Sequence, residues 1–154
     1  MKKKAINIII AITAMISLAA CTHNDGDIGH WFGAWKLRQI TINGENDAAY
    51  GGNIFWKFQS EVIQMSQLNE YHGRYDAWGS WEEIDAAGKA ILRLNFTHSD
   101  DATPAGTSKY APLAATHLHS GISDLEILSI SGSKLQLRYI AEDAAVYTYE
   151  FSKQ

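Results

Sequence analysis

Cysteine is almost missing from this chain: Cys21 is the only one among 154 residues. Proline is nearly missing too, and both prolines, Pro104 and Pro112, fall in one stretch without periodic pattern. A single thiol excludes metal sites built on several thiolates. Basic residues are outnumbered, with 13 Lys and Arg against 17 Asp and Glu and a formal charge of −4. That balance speaks against nucleic acid, whose binding rests on Lys and Arg neutralising phosphates. The chain also has no Gly-x-Ser-x-Gly elbow and no phosphate-binding loop. The Asp25-Gly26-Asp27 stretch lacks the longer pattern of an EF-hand with its distal Glu.

What is present begins with an address. Met1-Lys2-Lys3-Lys4 is basic, and Ala5 to Ala20 is uncharged and apolar apart from Asn7, Thr13 and Ser17. A bilayer takes about 20 apolar residues to span, so this stretch reads as a signal peptide. Leu18-Ala19-Ala20-Cys21 resembles the lipobox of bacterial lipoproteins. The resemblance implies cleavage before Cys21, a diacylglycerol thioether on its sulfur and usually a third acyl chain. Two or three chains hold a protein stably on a membrane where one holds only marginally. Loss of residues 1–20 removes three lysines and no acid, and moves the formal charge from −4 to −7. The negative charge reads as solubility, and speaks against docking through a basic patch.

Thr22 to Asp27 is polar and contains glycine, which suits a tether. Asp25 and Asp27 resemble the acidic export signal of some surface lipoproteins of Bacteroidota-type bacteria. The resemblance implies the outer membrane, on the cell surface or otherwise on its periplasmic face. The plain alternative is a solvated linker. The expected organisation is a signal peptide over 1–20, anchor and tether over 21–32, and one β domain over 33–154.

In that domain apolar residues recur at every second position. Ile54, Trp56 and Phe58 alternate with Phe55, Lys57 and Gln59. Leu92, Leu94 and Phe96 alternate with Arg93, Asn95 and Thr97. Leu135, Leu137 and Tyr139 alternate with Gln136 and Arg138, and Tyr147, Tyr149 and Phe151 with Thr148 and Glu150. One apolar and one polar face mark half-buried antiparallel strands. Asn43-Gly44, Gly51-Gly52-Asn53, Ala87-Gly88-Lys89 and Ser131-Gly132-Ser133 supply turns between them. The pattern predicts strands over 34–43, 54–59, 61–68, 71–78, 80–84, 89–97, 123–130, 134–141 and 145–152. The fourth and fifth form one bent strand if Gly79 does not break it. About eight strands with short turns suit a single antiparallel up-and-down β-barrel. Ser99 to Gly121 is the exception, long enough to cover a barrel mouth, with a helical turn expected over 113–118.

Gly33-Ala34-Trp35, after Trp31-Phe32, resembles the Gly-x-Trp opening of lipocalins and other calycin barrels, where the Trp closes the base. Further segments resemble the lipocalin-like domains of small lipoproteins from Bacteroidota-type bacteria. They are Ile54 to Phe58, Gly79-Ser80-Trp81-Glu82, Ile91 to Leu94, and Leu125 to Leu128 followed by Lys134 to Leu137. The resemblance implies a lipocalin-like barrel and structural roles for Gly33 and Trp35. It also implies an Arg laid over Trp35 from the end of the barrel. Arg138, on the polar face of the penultimate strand, is the candidate.

Chemistry is sparse. His117-x-His119 puts two imidazoles near each other, with His72 and His98 as further donors, but solvated histidines in an irregular loop explain them better than zinc. Glu82 and Glu83 are strand neighbours and point to opposite faces, so they make no hydrolytic pair. Glu142-Asp143 sits at a turn. No catalytic residue, metal or cofactor is expected, and the chain reads as a non-enzyme.

Aromatics are the richer set. Trp35, Trp56, Phe58, Tyr75, Trp78, Trp81, Phe96, Tyr139, Tyr147, Tyr149 and Phe151 are expected in the barrel interior. They either fill it as core or line a cavity for a small, partly apolar ligand. The candidate lining residues are Trp56, Phe58, Gln64, Arg74, Tyr75, Trp81, Phe96, Tyr139, Tyr147 and Tyr149. The expected partners are a membrane through the lipid, such a ligand and, for a filled barrel, another envelope protein. In that second case the chain is a structural or protein-interaction module.

Overall fold

The computed structural model describes residues 29–100 and 109–154. Cys21, the signal segment and the tether through Asp27 lie outside the described residues. Nine strands follow in chain order: β1 (Gly33–Ile42), β2 (Glu45–Asn46), β3 (Ile54–Gln59), β4 (Val62–Leu68), β5 (Arg74–Ala86), β6 (Lys89–Asn95), β7 (Ile122–Ile130), β8 (Lys134–Ile140) and β9 (Val146–Lys153). All neighbours are antiparallel, and β1 pairs with β9 from Trp35↔Lys153 to Ile42↔Tyr147. That pairing closes eight strands into an up-and-down barrel, with two-residue β2 hairpinned on the end of β1. Closure removes the unpaired edges that an open sheet exposes.

The alternation carries the fold. Ile54, Trp56 and Phe58 on β3, and Leu135, Leu137 and Tyr139 on β8, are buried inside while their neighbours are not. Each such side chain contributes roughly 1.5–3 kcal/mol on leaving water. Opposite charges pair across the outer face. Arg93 donates two bonds of 2.8 Å to Asp124, and Glu126 accepts from Arg138 and Lys89. Arg93 holds the Asp124 carboxyl below its ordinary range, and Arg138 does the same for Glu126.

Three features differ from the simple pattern. The stretch 71–86 is not two strands: 71–73 belong to a turn, in which Asn69 Oδ1 accepts from the N–H groups of Tyr71 and Gly73, and β5 runs unbroken through Gly79. β1 bulges between Leu37 and Gln39, so Leu37 and Ile40 face inward although three positions apart. The extra residue of a bulge resets the phase of the strand beyond it. A second bulge, between Ile127 and Ser129, does the same on β7.

The end of the barrel where β1 begins is its base. The packed unit starts before position 33, with a 3₁₀ turn over Gly29–Trp31 that puts Trp31 at 2% exposure. Trp31 Nε1 donates to Glu83 Oε2 at 2.7 Å, and Trp35 Nε1 donates to the Trp31 carbonyl at 3.0 Å. Gly33 turns the chain at φ 116°, where a side chain would be strained. The cation over Trp35 is not Arg138, which pairs with Glu126 on the outer face. It is Lys153 from β9, with Nζ 5.0 Å from the Trp35 ring centroid and donating to the His30 carbonyl at 2.8 Å. The β1–β9 pairing places Lys153 directly opposite Trp35, whereas Arg138 lies on the outward phase of β8.

The opposite end is capped. Residues 109–121 cross it, with a 3₁₀ turn over Ala114–Thr116 and with Leu113 and Leu118 in the core. Buried Tyr149 donates its hydroxyl to the Thr116 carbonyl at 2.7 Å. Burial raises the pKa of this phenol, which keeps its proton on the donor.

Candidate ligand-binding site

The interior holds side chains. Trp35, Trp56, Leu37, Met65, Leu94, Leu137 and Tyr149 are all at 0% exposure. The Trp56 ring packs 4.8 Å from Phe151 and 5.9 Å from Tyr149. Trp31, Phe58 and Trp81 form a second ring cluster at the base, with centroids 5.0 to 5.3 Å apart. The indole N–H groups of Trp56 and Trp81 are buried without a hydrogen-bond partner. An unpaired buried donor costs about 1–3 kcal/mol, so ring packing, not polar bonding, keeps these indoles inside.

The expected lining residues separate accordingly. Trp56, Phe58, Phe96, Tyr139 and Tyr149 are buried within the barrel, and Trp81 and Tyr147 are half-buried against its core. Gln64, Arg74 and Tyr75 do not join them. Arg74 is outside, paired with Asp76 at 2.8 Å; Tyr75 is 65% exposed; Gln64 faces a depression on the flank. Gln64 and Arg74 lie on the outward phase of their strands, whereas Tyr75 shares the inward phase of Ala77 but lies above the point where β5 faces the packed core.

At the capped end the histidines take separate partners. His117 Nε2 lies 2.8 Å from Asp47 Oδ2, and its ring stacks on Tyr147 at 5.1 Å. The hydrogen bond from His117 holds the Asp47 carboxyl below its ordinary range. His119 Nδ1 lies 2.8 Å from the Tyr139 hydroxyl. His72 is on the β4–β5 turn and His98 on the flank, so the four do not converge.

A lateral depression of about 720 Å³ opens among the described residues. Its origin is a mismatch of strand ends. β6 leaves the sheet at Asn95, opposite Ser80, while β5 runs on to Arg74. The long loop comes back along this gap, and Trp78 N–H donates to the Lys109 carbonyl at 2.8 Å. Val62, Trp78, Ser80, Asn95, His98, Lys109 and Tyr110 line the resulting groove. Val62 and Trp78 are 43% and 37% exposed. Lys109 Nζ lies 4.9 Å over the Tyr110 ring and 3.3 Å from Asp100 Oδ2, which also accepts the Tyr110 hydroxyl at 2.8 Å. The His98 ring meets Tyr110 edge-on at 4.7 Å. An apolar wall with a few placed polar groups, at this volume, is the usual make-up of a small-molecule site.

Alternation alone does not reveal this groove, although the sequence carries a signal of it. Val62 and Trp78 are large apolar residues on the outward phase, next to Ile63 and Ala77 on the inward one. An apolar side chain out of phase in a strand has left the core face.

Residues 15–151 match a family model described as a lipocalin-like domain. No curated protein matches the chain. Among solved structures it is similar to a lipocalin-like protein from Bacteroides uniformis, 18% identical, with a TM-score of 0.57 over 82% of this chain and 100% of that one. It is also similar to an uncharacterized protein from Bacteroides eggerthii, 17% identical, with a TM-score of 0.55 over 80% of this chain and 99% of the other. At these identities the likeness is one of fold.

Proposed function

Because this chain belongs to the lipocalin-like domain family, we propose that it is a non-enzymatic binding protein, tethered to the outer membrane through Cys21, that holds a small, partly apolar ligand on the flank of its barrel. One observation carries the location of the ligand. The interior is occupied by side chains at or near zero exposure, while the groove at Trp78 offers about 720 Å³. The family supports binding as the activity, and the groove supplies a place for it.

The uncharged dye N-phenyl-1-naphthylamine tests the reading. Its emission should rise on the wild-type chain, and Val62→Glu, which puts a charge on the apolar wall, should weaken binding at least tenfold. Val62 is half exposed, so the fold should survive, as circular dichroism can check. Equal binding by Val62→Glu would move the ligand elsewhere. The filled interior supports a second reading, a protein-interaction module of the envelope, and a flat dye titration on the wild-type chain would favour it.

The tether rests on the lipobox-like Leu18-Ala19-Ala20-Cys21. Cys21→Ser should abolish labelling by radioactive palmitate and release the protein from membranes. Continued labelling would refute the anchor. Asp25 and Asp27 support the cell surface as its location, and a chain resistant to protease on intact cells would place the domain on the periplasmic face instead.

A further inference from the structure

The formal charge of −4 hides a local imbalance. Glu45, Asp47, Glu70, Asp76, Glu142 and Asp143 stand at the capped end, on its turns and strand ends. Cations gather towards the base, on the outer wall of four adjacent strands, β3, β1, β9 and β8. Lys36 of β1 and Lys134 of β8 both stand opposite Ser152 of β9, and Lys57 of β3 stands opposite Ala34 of β1. Trp35, Trp56 and Leu135 beside them are buried, so alternation turns the three lysines outward. Arg38 joins them, donating from Nε to the Ser152 hydroxyl at 2.6 Å. Among the described residues none of these four cations is in an ion pair, whereas Arg74, Lys89, Arg93, Lys109 and Arg138 each hold a carboxylate. The acid of this wall, Glu150, lies one row higher and accepts from Gln136. Glu83 and Asp85 belong to β5 on the opposite wall, and Glu61 to the β3–β4 turn.

The same end receives the tether. The described chain starts at Gly29, in the 3₁₀ turn that closes the base. Eight peptide links separate Gly29 from Cys21, and fully extended they reach at most about 29 Å. A lipid on Cys21 therefore holds the base within that distance of its leaflet. The capped end lies a strand length further on, roughly 30 Å for a strand of this size. Phe32, just after the turn, is 45% exposed and shares a shallow depression with Lys57. An exposed apolar ring beside lysines suits the headgroup layer, where the ring leaves water and the cations meet phosphate.

We propose that the barrel does not hang free on its tether but rests, base down, on the anionic headgroups of the leaflet that holds the Cys21 lipid. Lys36, Arg38, Lys57 and Lys134 meet the phosphates, and Phe32 enters the headgroup layer. The acids of the capped end are turned away from the surface. This rests on the anchor reading above and adds the posture of the domain.

The test uses the lipidated chain reconstituted into vesicles of phosphatidylcholine, with or without anionic phosphatidylglycerol. Cys21 is the only cysteine and its sulfur carries the lipid, so a new cysteine takes a fluorophore alone. Gly132→Cys marks the base and Glu142→Cys the capped end, both at exposed positions. Energy transfer to an acceptor on the lipid headgroups is the readout. Phosphatidylglycerol should raise transfer from position 132 and not from position 142, and high salt should undo the rise. A lysine near an anionic surface is worth about fivefold in binding, so Lys36→Gln with Lys134→Gln should lower the ratio of docked to free domains about 25-fold. Phe32→Ser should lower it about threefold. These side chains lie on the outer surface, so circular dichroism should not change. Asp25 and Asp27 are present in every variant, so a response lost with the two lysines belongs to the wall. Equal transfer from position 132 in both vesicles, or a rise that survives the loss of both lysines, would overturn the proposal. An unchanged ratio for Phe32→Ser would remove the ring from the contact. If the chain floats with the vesicles but shows no such rise, the posture fails and the anchor stands; if it does not float with them, the anchor reading fails and the posture with it.

Discussion

Trp35→Ala is expected to lower the free energy of unfolding by about 3–5 kcal/mol, the range for removal of a buried Trp or Phe. Trp35 is at 0% exposure, and its removal undoes more than its own packing. Its Nε1 ties β1 to the Trp31 carbonyl at 3.0 Å, and that turn carries the indole which closes the base on Phe58 and Trp81. Its ring also lies under Lys153 Nζ at 5.0 Å, which fastens the last strand over the first. A cation–π contact of this kind is worth about 0.5–2 kcal/mol. Urea unfolding followed by circular dichroism is the measurement. Trp35→Phe keeps a ring but loses the N–H, and should fall between the wild type and Trp35→Ala. A loss below about 1 kcal/mol for Trp35→Ala would show that the base does not depend on this residue.

The second large effect is expected from the smallest change. Gly79→Ala should cost about 2–3 kcal/mol, at the upper end of what overpacking costs. A Cβ at Gly79 would stand 2.7 Å from the Asn95 carbonyl oxygen and 3.0 Å from two carbons of the Phe96 ring. The carbonyl is backbone and cannot swing away. Phe96 is 1% exposed, so its ring has no empty space to enter. Relief therefore requires β5 and β6 to part next to the Ser80↔Asn95 pair. Gly132→Ala is the control, because nothing lies within 4 Å of the Cβ it would add. Thermal or urea unfolding should show the control within about 0.5 kcal/mol of the wild type and Gly79→Ala well below it. Equal stability of the two variants would refute the close approach.

Much of the barrel is legible in the sequence because alternation is a local property. The faces of Ile54 to Phe58 and of Leu135 to Tyr139 are readable from spacing alone, and the turns at Asn43-Gly44 and Ala87-Gly88 from residue type. Gly33 and Trp35 are readable from their resemblance to a barrel opening, and both stand at the base. The candidate site is less legible. Tyr75 and Arg74 are aromatic and basic residues on a strand, and spacing does not say how far up β5 the core extends. Val62 and Trp78 are indistinguishable by composition from core residues, and only their phase marks them as outward. Lys153 is one lysine among several until β9 is laid against β1.

The sequence by itself determined the class: antiparallel strands joined by short turns, with one long connection before β7. Those properties depend on neighbours two to four residues apart. The tertiary structure alone decided whether the interior is hollow or full. Identical alternation is compatible with both, because interior volume depends on how the strands are staggered and on the combined bulk of rings from distant strands. Here Trp56 of β3 meets Tyr149 and Phe151 of β9 on the inner side of β1, the strand that lies between them. The flank groove has the same origin. It exists because β6 stops at Asn95 while β5 continues, and because Lys109 returns to Trp78, a meeting between segments far apart in the chain.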